Sequence, residues 1–284
     1  MARRPKQSDQ LADLLAGAIG AGYLYDFLAK GIGACIENAA SLRTDVAVLL
    51  SGERYAAAQF MYTTAFEEIG KALILFDVVR ANAARSGGYR KLCGSFYNHL
   101  QKFGYANTVL HPGVAGLMGA LQAFRAELIE YYPSHAEDGE PGEYAEGLAN
   151  REWAVYVDCS VWGGWSTPQH SSYARWLGGA FPEPRESPAQ SELDLLLPPF
   201  ERAQREGLFS PTGLRLVEAE LGPRFITAGG ERKLELGIRA LDRRSRKSGI
   251  TLSAETLASN LVGYPLYAVL IHPKQVPSWS EYHS

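Results

Sequence analysis

One stretch constrains this chain more than any other: ERYAAAQFMYTTAFEEIGKALILFDVVR, residues 53–80. Within it Ala58, Tyr62, Ala65, Ile69, Ala72 and Phe76 recur at alternating steps of four and three. That is the apolar seam of a long helix packed against other helices. No proline interrupts it, and between Tyr55 and Phe76 the only charged residues are Glu67, Glu68 and Lys71. Glu67 and Lys71 stand four apart in the order that favours a surface ion pair, worth about 0.2–0.5 kcal/mol. Glu68 lies about 60° from Ala65 around the helix, on the shoulder of the seam. A carboxylate there is either half-exposed or held by a partner from a neighbouring helix. A structural ion pair and a site residue are therefore both open readings of Glu68. Gly70 costs about 1 kcal/mol relative to alanine in a helix interior, and a close helix crossing is the reason it suggests.

At 284 residues the chain can bury one large core or two modest ones. Its formal net charge of −3 excludes a general nucleic-acid coat protein, so any nucleic-acid contact is local. The apolar run of residues 11–36 carries Asp13, Asp26 and Lys30, too interrupted for a membrane span. It lacks the small-residue cleavage site of a signal peptide and reads as a packed helix. Cys35, Cys93 and Cys159 are odd in number, far apart and without CxxC spacing. They point to a reducing cytoplasm, with neither a zinc site nor a disulfide framework.

Taken in order, the chain predicts a helix over 10–30, ended by Gly31 and Gly33. A second helix over 36–50 forms a hairpin with 53–80 across Ser51-Gly52. A fourth spans 89–108, with Leu92, Phe96, Leu100 and Phe103 as its stripe. His99 and Lys102 sit on the shoulder of that stripe, and Arg90 and Lys91 near the helix start. A fifth helix covers 114–131, and an acidic loop covers 132–147. WAVYVDC, 153–159, reads as a short strand, because β-branched and aromatic residues dominate it. A short helix over 171–177 follows.

Three prolines in residues 182–188 mark an extended linker. Beyond it, helices are expected at 190–206, 211–221, 230–247 and 253–262. The organisation is an all-α bundle over 1–180 with a short irregular or β segment near 151–168, a proline-rich linker over 181–189, and a helical extension over 190–284. Arg239, Arg243, Arg244, Arg246 and Lys247 form the one basic cluster of note. They are either a solvated face or an RNA-binding patch. No dinucleotide fingerprint, P-loop, HExxH or GxSxG is present, and no cofactor is expected.

Three ordered blocks carry a resemblance. NAASLRTDVAVLLSGERYAAAQFMYTTAFEEIGKALIL (38–75) resembles the start of the AbiV family of abortive infection proteins. FYNHLQKF (96–103) resembles its His-x-x-Lys element, and REWAVYVDCSVWGGWSTP (151–168) its Arg…Tyr-Val-Asp…Pro element. The resemblance implies an antiparallel HEPN-like helical core. Such domains are often dimeric, and many are metal-independent ribonucleases in phage defence. The HEPN signature places four to six residues between an Arg and a His. This chain departs from it, with eight residues between Arg90 and His99 and seven between Lys91 and His99. AbiV-type defence implies arrested translation, through RNA cleavage, of tRNA for example, or interference with the translation machinery.

Metal-independent RNA cleavage needs a base for the ribose 2′-OH, a cation for the phosphorane and an acid for the leaving oxygen. His99, Lys102 and Arg90, facing Glu68 and Lys71 of the central helix, supply the residue types. A homodimer joining two such sets makes one composite cleft. The other reading is a non-catalytic helical module that binds or senses a phage protein. In it Glu68, Lys71, His99 and Lys102 form a structural network. A metal-dependent hydrolase ranks third, because the carboxylates near histidines lack a ligand spacing.

Overall fold

The computed structural model describes residues 6–80, 88–110, 158–162, 173–177, 188–222 and 230–262. The expected helix over 114–131, the acidic loop over 132–147, and His111 and Arg151 lie outside the described residues.

Helix α1, Gln7–Gly20, ends in a left-handed turn. Gly22 takes φ 76°, the Gly22 N–H donates to the Ile19 carbonyl, and the Tyr23 N–H reaches back to Ala18 at 3.0 Å. This double closure is the usual glycine-terminated helix end. Helix α2, Leu24–Ser51, then runs unbroken through Gly31 and Gly33. The break expected at those two glycines therefore falls at Gly22 instead. Gly31 serves packing: a Cβ there stands 2.9 Å from Leu75 Cδ1, where α2 crosses the next helix.

Helix α3, Tyr55–Arg80, follows a turn in which Glu53 is left-handed, φ 56°, and the Arg54 N–H reaches the Leu49 carbonyl at 2.8 Å. All six seam residues of α3 are buried. Burial extends beyond the seam: from Ala65 to Arg80 every residue except Lys71 is buried. A helix apolar nearly all round belongs at the centre of a bundle, and α3 packs against five other helices.

The single helix expected over 89–108 is two: α4, Tyr89–Phe96, and α5, His99–Leu110. Asn98 ends the first course of the chain by capping the second, its Oδ1 accepting the Gln101 N–H at 3.0 Å. An asparagine side chain offers the backbone this alternative to continuing a helix.

Strands β1, Asp158–Trp162, and β2, Tyr173–Leu177, pair antiparallel, Asp158 opposite Leu177 and Trp162 opposite Tyr173. The short β segment is present, but residues 173–177 are strand where a helix was expected. A helix that short leaves most of its backbone groups without partners, whereas pairing with β1 satisfies them and suits Tyr and Trp.

Helices α6, Pro188–Arg205, α7, Pro211–Glu220, α8, Gly230–Lys247, and α9, Ala254–Ala258, complete the described fold, with a 3₁₀ turn at Asn260–Val262. Ser210 caps α7 and Pro211 occupies its first turn. Leu193, Leu196, Leu197, Phe200, Leu214 and Val217 enter the same apolar cluster as Ile69, Leu73 and Phe76 of α3. Phe209 joins the two sets, edge-on to Phe76 at 5.1 Å and stacked on Phe200 at 6.4 Å. Among the described residues, no helix is long and apolar enough to cross a membrane.

Candidate active site

Gly70 decides the local geometry. A Cβ at this position meets the backbone carbonyl oxygen of Lys102 at 2.2 Å, so α3 and α5 touch main chain to main chain. No other residue permits that approach. One turn earlier on α3 stands Glu67; one turn earlier on α5 stands His99. The crossing thus sets both beside Lys102.

Glu67 is 4% exposed and is held twice. Its Oε1 lies 2.7 Å from His99 Nδ1, and its Oε2 accepts from Lys102 Nζ at 2.5 Å. Lys102 is as buried as Glu67, while the imidazole is 42% exposed. Burial pushes the Glu67 carboxyl up. The bonds from His99 and Lys102, with their positive charge, outweigh that and hold it below the ordinary value of 4.5. An ionised carboxylate only accepts, so the short Glu67 contact puts the proton on Nδ1. The lone pair of the neutral ring then belongs to Nε2. Lys102 Nζ stands 3.4 Å from Nδ1 on the same side.

Here the structure corrects the expected pairing. His99 meets Glu67, not Glu68. Glu68 belongs to an adjoining cluster between α2 and α3, where Lys71 Nζ lies 2.6 Å from its Oε1. The Cys35 thiol is buried beside this pair; burial, reinforced by the Glu68 carboxylate against the opposing Lys71 charge, pushes it up to about 12 and leaves it inert. Lys71 Nζ also stands 5.7 Å from the Phe96 ring centre, below the α4–α5 bend. Arg90 is directed elsewhere: it lies 3.8 Å from Asp13 of α1 and over the Tyr89 ring. In the basic cluster of α8, Arg239 pairs with Glu235 at 2.5 Å, Arg246 with Asp242 at 2.9 Å and Arg244 with Glu220. Arg243 and Lys247 are exposed on the same helix.

The spacing of Glu67 and Lys71 favours a surface ion pair, whereas the structure buries Glu67. The signal that places it inside was Gly70, about 60° from Glu67: a helix crossing at one buries the other. Asp77 and Arg80 were also missed. They form an ion pair, 0% and 1% exposed, and Arg80 Nη1 donates to the Leu261 carbonyl at 2.8 Å. Among the described residues no group of three or more His, Cys, Asp or Glu is placed to hold a metal ion.

The helical fold agrees with the family comparison, which puts the protein in the HEPN-like helical class. The model of the family described as AbiV matches residues 27–175. That span is more than half of the chain, and the chain belongs to the AbiV family of abortive infection proteins. No curated protein and no solved structure matches it.

Proposed function

We propose that this anti-phage protein is a metal-independent endoribonuclease that arrests translation by cutting RNA. The observation that carries the reading is the buried Glu67 carboxylate fixing Nδ1 of a half-exposed imidazole. A histidine so held is oriented as a general base. In this reading Nε2 of His99 takes the proton from a ribose 2′-OH. The 2′ oxygen attacks the neighbouring phosphorus, the bond from phosphorus to the 5′ oxygen breaks, and a 2′,3′-cyclic phosphate and a 5′-OH result. The 5′ oxygen takes its proton from the imidazolium of a second copy across a two-fold axis. Lys71, more exposed than Lys102, offers the cation for the phosphorane. Lys102 is a positioning residue, because it is spent on Glu67 inside the protein.

The test is incubation of the purified protein with tRNA and with total cellular RNA in EDTA. Cleavage with cyclic-phosphate ends is expected, and His99→Ala should lower the rate about 10²- to 10⁴-fold without loss of fold. No cleavage, or equal cleavage by the variant, overturns the reading. One observation favours a different class. Lys102 is buried, as in a purely structural network, which fits a non-catalytic module that binds a phage protein. That reading requires an inactive parent and a His99→Ala variant whose Tm falls by several degrees.

A further inference from the structure

We propose that the outer face of α4 and the α4–α5 bend seats single-stranded RNA, with an unstacked base lying on Tyr97 and the phosphates on Arg90 and Lys91. The proposal rests on the ribonuclease reading and supplies its substrate class, since Tyr97 is two residues from His99 across a capped bend.

Arg90, Lys91, Gly94, Tyr97 and Asn98 are all exposed. Arg90, Lys91 and Gly94 stand on adjoining exposed positions of α4, and Tyr97 and Asn98 follow directly at its C-terminal bend. Tyr97 is 41% exposed, yet its ring is braced edge-on against Phe96 at 5.3 Å. Phe96 in turn packs on the core and lies beneath Lys71. An exposed ring held from behind is a stacking platform, and every base has a face to lay on it.

Charge agrees. Residues 88–98 contain Arg90 and Lys91 and no Asp or Glu, while Lys102 is turned inward to Glu67. From the helix packed against this strip, Asp13 faces Arg90 at 3.8 Å and is 76% exposed, a solvated contact that a phosphate can replace. In a protein of net charge −3 this is a local cationic face.

Gly94 is compatible with the same strip. Gly70 is required by its main-chain contact with Lys102, but a Cβ on Gly94 meets nothing within 4 Å. Glycine weakens a helix relative to other residues, and α4 has only eight. Neither packing nor backbone conformation asks for it. Its effect is to keep the strip bare between the cations and the tyrosine, where a nucleotide backbone can lie close. A duplex keeps its bases stacked internally and cannot offer one to Tyr97.

The experiment is fluorescence anisotropy of the full-length protein with a labelled 12-nucleotide RNA that is 2′-O-methylated throughout, so that no cleavage occurs, against the matching duplex. The single strand should bind more tightly than the duplex. Tyr97→Ala should weaken binding about 5- to 150-fold, with Tyr97→Phe close to the parent. Lys91→Gln should lower the log–log salt slope by about 0.7. Gly94→Gln should raise Tm and weaken binding, a combination that a merely structural glycine does not produce. Equal affinity for single strand and duplex, or parental binding by both Tyr97→Ala and Gly94→Gln, overturns the proposal. The two readings separate cleanly. Single-strand binding by a parent that cleaves no RNA sinks the ribonuclease alone, and undiminished cleavage with unchanged KM in Tyr97→Ala sinks the docking strip alone.

Discussion

Glu67 is the residue on which the cluster turns, because it answers two cations from inside the protein. Removing its charge leaves the Lys102 ammonium buried opposite an amide. Glu67→Gln should therefore destabilise the fold by about 3–5 kcal/mol, the usual result of breaking a buried pair from one side, measured by urea unfolding at pH 7. The pH dependence has a definite sign. The folded carboxyl lies below its ordinary 4.5, so the folded state binds this proton less readily than the unfolded chain does. Its stabilisation is complete above about 4.5 and is lost as pH falls through the depressed folded value. Unfolding free energies from pH 7 down to pH 3 should show that acid-limb loss in the parent and lack this contribution in Glu67→Gln.

At the scale of elements, two glycines make the helix crossings and differ in what a methyl group would strike. Gly70→Ala pushes against the Lys102 carbonyl, which is main chain and cannot swing aside. It should cost about 1–3 kcal/mol or more and displace His99 and Lys102 from Glu67, abolishing any cleavage. Gly31→Ala strikes only the flexible end of Leu75, and alanine is the better helix former by about 1 kcal/mol. Its Tm should stay near that of the parent. Thermal melts of the two variants check the contrast. The bend between α4 and α5 is the other decisive element. Asn98 was legible as a cap in principle, yet periodicity alone carried a continuous stripe from Leu92 through it. Periodicity reports which residues share a face and is blind to a two-residue interruption that keeps the apolar count.

Over the whole molecule, the end of α3 is tied to the last described turn, Asn260–Val262. Arg80 bridges Asp77 and the carbonyl of Leu261 in the interior, and its guanidinium lies 4.7 Å from the Phe76 ring centre. Tyr62 and Tyr25 hydrogen-bond Glu192 and Glu218 of the same C-terminal region. Arg80→Leu should lower stability by about 3–5 kcal/mol, because it leaves the Asp77 carboxylate without that cation. The double change Arg80→Leu with Asp77→Leu should cost much less, and a double-mutant cycle with the two single variants in urea measures the difference. The family match ends at residue 175, but the bundle does not: residues 193–217 lie in one core with α3.

The sequence by itself determined that α3 is a long buried helix, that helices dominate, that a short strand lies near residue 158, and that Gly70 marks a close crossing. Those properties follow from spacing and residue size, which act within one element. Only the tertiary structure decided that Glu67 rather than Glu68 holds His99, that Arg90 turns to α1, and that Arg80 reaches Leu261. A side chain's partner depends on which helix covers which side of another, and neighbouring carboxylates 100° apart on α3 differ only in what the rest of the chain lays against them.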